Sequence, residues 1–396
     1  MNLKDSVSWI MVKMQVKLFP HLEEVFTDPI TEKQKRLTAI LEIAEIQRHV
    51  KSPGCQWMGR NLKDRFAIAR AFIAKAVYGF ATTRALIEGL KTAPNLANVC
   101  GFDNYSYIKI REGYTANGKL LRVVKRINSL PSEATFSRAF AEFAENGLGD
   151  IVHDVLVKKY LSDELIGHIS RDSTAINGNE KPARKDKEEK KVETKPKKKG
   201  RPKKGEVREN EGLKKDDDRR IVRQVNQTAQ DAIKELPTVC DVGCKKNAHG
   251  YKESWSGFKL HIDTNDCGLP LTAVLTSASV HDSQVAIPMM KMTTQKVNYL
   301  YDLMDSAYDA KEIYEVSRAL GHVPIIDKNK RRAEALPMSP AEAIRYNERT
   351  VAERLNSRLK CEFGGKTVMV RGYQKVKLHL MFGIIALFVD QLLKLL

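Results

Sequence analysis

Between Tyr346 and Lys360 the chain carries a phenol, a guanidinium, a carboxylate and an ammonium, in the order Tyr346, Arg349, Glu353, Lys360. The run from Ala341 to Phe363 holds neither Gly nor Pro, so one continuous helix is expected there. At about 100° per residue, steps of three, seven and fourteen from Tyr346 turn the direction by roughly −60°, −20° and −40°. All four side chains then share a face. A carboxylate flanked in this way suits a metal-binding acid held beside nucleic-acid phosphates, because Arg forks onto phosphate oxygens, Lys adds a point charge, and Tyr stacks while its hydroxyl bonds. The same spacing also fits a solvated charged face in which Arg349 and Glu353, four residues apart, pair with each other.

The pattern Tyr-x-x-Arg-x-x-x-Glu-x6-Lys resembles the signature of the DDE transposases of bacterial insertion sequences, in the class named after those four residues. In that family the Glu is the third metal-binding carboxylate of an RNase H-like core, and two aspartates at strand ends precede it. Asp172 stands in an Asp-Ser-Thr-x-Ile setting similar to the first, and Asp305 in Asp-x-x-Tyr-Asp matches the second. Gly257-Phe-Lys-Leu-His261 and Val280-His281-Asp282 are similar to the family's middle strands, and the resemblance runs from about Leu86 to the C-terminus, interrupted by an insert. Ala307 replaces the Gly more often found before the tyrosine. Asp302 competes with Asp305, but a spacing of three along a strand sends the two to opposite faces. His281-Asp282 suits either a helix start, with Asp282 or Ser283 as cap, or a metal centre that would need further histidines.

The resemblance implies that Asp172, Asp305 and Glu353 are the catalytic residues and hold two Mg²⁺ ions, with Mn²⁺ as a substitute. Two ions roughly 3.5–4 Å apart activate a water or a DNA 3′-hydroxyl and stabilise the leaving oxygen, and hard oxygen ligands suit Mg²⁺. It also implies a transposase that binds double-stranded DNA at an element's terminal repeats, cleaves it and joins it to target DNA, acting as a homodimer. A related nuclease, or a DNA-binding protein that no longer mobilises DNA, is the alternative.

Charge agrees with a polyanionic partner. The formal net charge is +18 and the sequence pI about 9.5, which points to nucleic acid or an anionic membrane. The most apolar stretch, Leu378–Val389, is too short to span a bilayer and fits a C-terminal helix packed on the core, so no membrane partner is expected. The first residues lack the apolar region of a signal peptide; a cytoplasmic, nucleoid-associated bacterial protein is expected. Six scattered cysteines make no disulfide scaffold, and Cys240, Cys244, His249 and His261 match no common zinc spacing.

These residues need elements to carry them. Periodic apolar runs at Thr31–Val50, Leu62–Phe80 and Ala134–Phe143 predict an all-helical N-terminal domain over 1–160, with loops at Pro53-Gly54, Pro94-Asn95 and Asn117-Gly118. It is assigned to DNA binding by its resemblance to helix-turn-helix-like units, and a plain helical bundle explains the pattern equally well. Residues 161–396 form the expected DDE catalytic domain, with strands at Ile166–Ile176, Gly257–Ile262, Leu269–Thr276, Val297–Met304 and His322–Ile326. The fold class expected is α/β, an RNase H-like mixed sheet flanked by helices, in which Asp172 and Asp305 sit on neighbouring central strands. From Glu180 to Arg220 there are 18 Lys or Arg, 11 Asp or Glu and no aromatic residue. That composition predicts a disordered basic insert at about 178–225. Within it Gly200-Arg201-Pro202 resembles an AT-hook, making Arg201 a minor-groove ligand, although a solvated basic linker has the same composition. Tyr346, Arg349 and Lys360, together with Lys328, Lys330, Arg331 and Arg332 of the basic loop, complete the expected DNA contacts.

Overall fold

A computed structural model describes residues 29–51, 64–102, 107–114, 120–127, 130–183, 219–246, 250–329 and 337–395, with only the backbone given for the two segments between 107 and 127. The N-terminal region is helical: α1 (Glu32–Ala44), α2 (Arg65–Tyr78), α3 (Thr83–Thr92) and α4 (Pro94–Cys100), then α5 (Glu133–Glu145) and α6 (Leu148–Leu161). Local chemistry sets the ends. Thr31 and Gln34 form a reciprocal capping box at the start of α1, satisfying two otherwise orphaned backbone N–H groups. Gly79 and Gly101 close α2 and α4 in left-handed conformations, which cost glycine little.

One feature departs from an all-helical N-terminal region. Strands β1 (Tyr107–Tyr114) and β2 (Leu120–Ile127) pair antiparallel, Tyr114 opposite Leu120. The Asn117-Gly118 step was expected to separate helices, but between alternating apolar and polar residues it is a hairpin signal.

The second half is a six-stranded mixed sheet. Its strands are β3 (Leu165–Asn177), β4 (Asp241–Lys246), β5 (Lys252–Asn265), β6 (Pro270–Ser277), β7 (Asn298–Met304) and β8 (Val323–Ile326). Antiparallel pairs join β3 to β5, β5 to β6 and β4 to β5; β7 runs parallel to β3, and β8 to β7. The order β6-β5-β3-β7-β8 is that of an RNase H-like core, and β4 extends it along the first half of β5. Gly257 marks the point where β5 exchanges partners. Its φ is +149°, and a Cβ there would lie 2.2 Å from the Ile176 carbonyl oxygen, so the Gly that opens the Gly-Phe-Lys-Leu-His motif is sterically required.

Helices α7 (Arg220–Asn226), α8 (Ala229–Lys234), α9 (Ser283–Thr294) and α10 (Lys311–Ala319) pack on one another and on one side of the sheet. Helices α11 (Pro340–Asn347), α12 (Thr350–Glu362) and α13 (Tyr373–Lys394) complete the chain. Residues 220–225, expected to belong to the insert, are thus helical, and Ile221 packs against Ile287 and Met290 of α9. α13 is longer than its apolar run suggested. It is long and apolar enough by length and composition to cross a membrane, yet 83% of its apolar window is buried within the protein. Phe382 stacks on Phe72 at 5.8 Å, and one hydrophobic cluster runs from α1, α2, α5 and α6 through α13 to Leu260 and Ile262 of the sheet.

A buried ionic network ties the central strands together. Arg171 of β3 donates to both carboxylate oxygens of Asp263 on β5, at 2.7 and 2.8 Å, and lies 3.5 Å from Asp302 on β7. Burial opposes the guanidinium's charge, but Asp263 and Asp302 more than restore it and hold its pKa above the ordinary arginine value. Thr293 donates to Asp263, while Ser317 and Tyr299 donate to Asp302.

Candidate active site

The parallel register of β3 and β7 sets Ser170 against Leu303. Two residues further along stand Asp172 and Asp305, so the two carboxylates come level on adjacent central strands. Asp172 lies within its strand rather than at its end, since β3 continues to Asn177. Asp305 follows the last residue of β7, and its Oδ1 accepts from the Ala307 amide at 2.9 Å. That bond begins the short 3₁₀ turn Ser306–Tyr308. Asp302 points elsewhere: it is fully buried among Arg171, Tyr299 and Ser317.

Both site aspartates are poor anions where they stand. Burial pushes the Asp172 carboxyl up to about 6, and the charge of Asp305 adds to this, against the opposing effects of the Ser173 amide, Arg349 and Asn356. Burial also raises Asp305, with Asp282 contributing, against the Ala307 amide, Arg349 and His281. The Asn356 amide donates to Asp172 Oδ2 at 2.9 Å.

The stretch expected to be one helix is two. α11 ends at Asn347 and α12 begins at Thr350, with Glu348 and Arg349 in the turn between. Both turn residues keep right-handed helical dihedrals and the backbone bonds there tighten to three-residue spacing, so the 100° step is not kept strictly, yet Tyr346, Arg349 and Glu353 still meet, and the sequence offers no Gly or Pro to mark the break. Arg349 donates to Glu353 Oε1 at 2.6 Å, the pairing foreseen for a charged face. Its charge also acts on Asp172 and Asp305, and its guanidinium lies 5.8 Å from the Tyr346 ring centroid. Glu353 itself is half-exposed. Among the described residues no three His, Cys, Asp or Glu side chains gather closely enough to hold a metal ion. The two aspartates come level on adjacent strands, and Glu353 is paired with Arg349.

Lys360 is half-buried, and burial and Lys245 lower its pKa while Asp172 opposes them. Lys328 is committed locally, donating to the Tyr314 hydroxyl at 2.9 Å and lying 3.7 Å from Asp309. Arg201, Lys330, Arg331 and Arg332 fall outside the described residues, as do the AT-hook-like segment and most of the insert.

A family model described as the transposase DDE domain matches residues 172–389. The chain belongs to the DDE transposase family. The match opens on Asp172 and takes in Asp305 and Glu353. No curated protein and no solved structure matches the chain. Membership makes this a transposase-type enzyme whose partner is DNA.

Lys259, Asn356 and Tyr308 lie around the candidate site and were given no role by the sequence, beside His261 and Asp282, which were weighed for a metal site and a helix cap. Lys259 donates to Asp282 at 3.0 Å and to the Val280 carbonyl at 2.8 Å; His261 Nδ1 lies 3.8 Å from the same aspartate. Asp282 therefore makes no side-chain cap on α9; it turns towards Lys259 instead. Burial works against its charge, but His261 and Lys259 outweigh it and hold the carboxyl below the ordinary range. Alternation along β5 was the available signal, since it sets Lys259 and His261 on one face and Leu260 and Ile262 on the other. Asn356 lies three residues beyond Glu353, a spacing that shares a helix face. Tyr308 stood in the Asp305 motif with no role attached to it.

The raised Asp172 pKa has a consequence for stability. The folded chain binds its proton more tightly than the unfolded chain, so between the ordinary value of 3.8 and about 6 stability should fall as pH rises. Urea unfolding of the metal-free protein across that window should show this slope, reduced in Asp172→Asn and on adding Mg²⁺. An unchanged slope in Asp172→Asn would assign it to another group.

Proposed function

We propose that this chain is the transposase of a bacterial insertion sequence, of the class with the Tyr-Arg-Glu-Lys signature. It binds the element's terminal repeats, cleaves their 3′ ends and joins the freed hydroxyls to target DNA, with residues 1–160 holding DNA and 161–396 performing chemistry. The observation that carries this is the pair Asp172 and Asp305, level on neighbouring strands, both destabilised as anions, with a guanidinium as the nearby counter-charge. Such a pair asks for a cation. The donor set is all carboxylate oxygen, which fits Mg²⁺, with Mn²⁺ as a substitute.

Asp172 and Asp305 would hold the metal, joined by Glu353 once Arg349 exchanges its salt bridge for a DNA phosphate. When bound, the two ions supply activation of the attacking oxygen and stabilisation of the leaving one. The chain's own residues do the rest. Arg349 and Lys360 hold phosphate oxygens, and Tyr346 flanks the bound strand. Water attacks phosphorus as the bond to the 3′-oxygen breaks, leaving a 3′-hydroxyl and a 5′-phosphate; that hydroxyl then attacks a target phosphorus in line, and the bond from that phosphorus to the target's 3′-oxygen breaks, leaving a 3′-hydroxyl on the target strand. Two ends must be cut together, which calls for a homodimer on DNA, in the cytoplasm at the nucleoid.

The test uses the full chain and duplexes carrying the sequences that flank its reading frame. Wild type should nick them at the repeat ends only with Mg²⁺ or Mn²⁺ and transfer them to a target plasmid. Glu353→Gln keeps shape and removes the charged ligand, so it should bind ends nearly normally and cleave at least about a hundredfold more slowly. Wild-type cleavage by Glu353→Gln would leave Arg349–Glu353 a structural salt bridge. Nicking without transfer would favour a nuclease.

A further inference from the structure

The buried side of α12 reads Val351, Ala352, Leu355, Asn356 and Leu359, so one amide stands in an otherwise apolar row. Asn356 is 6% exposed, and an apolar residue would serve packing better there, because burying an amide costs free energy unless its hydrogen bonds are made. Here only the donor end is satisfied. Asn356 Nδ2 donates to Asp172 Oδ2 at 2.9 Å, whereas its Oδ1 is enclosed with no hydrogen-bond partner among the described residues. The amide thus serves a single contact, and that contact is a carboxylate of the candidate site. Steps of three and seven residues from Glu353 turn the direction by roughly −60° and −20°, which sets Asn356 between Glu353 and Lys360 on one stripe of α12. The helix packs on β3 and β5, and β3 carries Asp172. The bond therefore joins the helix of the third expected carboxylate to the first carboxylate itself. Two residues further on, Arg358 donates to Gln391 at 2.6 Å and to Asp390, both on α13, so α12 also has an anchor that involves neither Asp172 nor Asp305.

We infer that Asn356 is a positioning residue of the DDE site: its amide holds the Asp172 carboxylate in one orientation and docks the helix of Glu353 against it, so that both acids serve one divalent cation. This rests on the reading that Asp172 and Glu353 are ligands of that cation. A carboxylate fixed through one oxygen presents its remaining lone pairs in fewer directions, and side chains placed this way behind metal ligands typically change affinity or rate by 10–100-fold. A neutral donor suits the task. Lysine or arginine in its place would bring a positive charge to the carboxylate and compete with the cation. A purely structural asparagine behaves differently, because replacing it with an apolar residue of similar shape would change melting without reaching metal affinity.

Asn356→Leu nearly keeps the shape and deletes the amide, and Asn356→Ala deletes it without added bulk, should the larger side chain fail to pack. Three measurements separate the readings: thermal melting of the metal-free protein, Mn²⁺ titration calorimetry without DNA, and single-turnover nicking against Mg²⁺ concentration. Arg358→Met is the control, because it loosens α12 from α13 and leaves the Asp172 bond in place. The Asn356 variants should fold, bind Mn²⁺ about tenfold more weakly, nick about tenfold more slowly at limiting Mg²⁺ and recover most of the rate at saturation. Arg358→Met should melt lower yet bind Mn²⁺ like wild type. Wild-type Mn²⁺ affinity in the Asn356 variants overturns the inference, as does failure of both to fold. An equal loss of affinity in Arg358→Met also overturns it, since general loosening of the helix would then suffice. Asp172→Asn in the same assays tests the reading beneath it. If that variant binds Mn²⁺ and cleaves like wild type, the aspartate site is misassigned; if it fails while the Asn356 variants behave normally, only the role of Asn356 is lost.

Discussion

Asp305→Asn should leave the protein folded and slow metal-dependent end cleavage at least about a thousandfold, because several kcal/mol of transition-state stabilisation depend on a charged oxygen there. Asparagine keeps the shape and can still accept from the Ala307 amide, so the 3₁₀ turn should survive. Loss of a carboxylate that burial and Asp282 already disfavour should leave melting unchanged or slightly raised. Asp302→Asn should do the opposite. Its carboxylate is wholly enclosed, 3.5 Å from Arg171 and accepting from Ser317 at 2.6 Å, so neutralising it weakens a buried charge-assisted network by about 1–3 kcal/mol. Cleavage per folded molecule should stay within a few-fold of wild type. Melting curves beside single-turnover nicking decide between them. An inactive but stable Asp302→Asn beside an active Asp305→Asn would move the reacting carboxylate three residues upstream.

Strand positions and the two aspartates were legible because strands and short motifs are local signals. The apolar runs around Asp172 and Asp305 are β3 and β7, and their parallel pairing follows from the strand order that the motif implied. What escaped was decided by contacts distant in sequence. The turn at Glu348 and Arg349 carries no Gly or Pro; it lies where α11 leaves β8 and α12 packs on β3 and β5, so tertiary packing sets it and local propensity does not. Asp282 looked like a cap because it stands before a helix, but Lys259, 23 residues earlier, takes its carboxylate. The hairpin of β1 and β2 was a misread signal rather than a hidden one, since an Asn-Gly step between alternating residues reads locally as a turn. Arg171 was passed over because it adjoins Asp172; that adjacency is informative, since neighbours in a strand face opposite sides and one of them was bound to be buried among the helices.

That buried arginine should be the most damaging single position in the catalytic half. Arg171→Met keeps much of the length and removes the cation, leaving Asp263 and Asp302 enclosed without their counter-charge. Breaking one partner of such a network costs about 3–5 kcal/mol, enough to consume a large part of a typical domain's stability. Replacing all three together, with Arg171→Met, Asp263→Leu and Asp302→Leu, should recover much of the loss, because apolar packing commonly matches a buried ion network in stability. Cleavage provides the further reading. Arg171 joins β5, β3 and β7, and the register of β3 against β7 is what sets Asp172 level with Asp305, so Arg171→Met held folded at low temperature should still cleave poorly. The apolar triple variant shows whether the network supplies stability alone or also the alignment of the aspartates. Recovered stability with cleavage still lost would assign it to alignment, and recovery of both would make it a packing feature. A loss below about 1 kcal/mol in Arg171→Met, a value typical of exposed pairs, would mean that the three strands are held together without it.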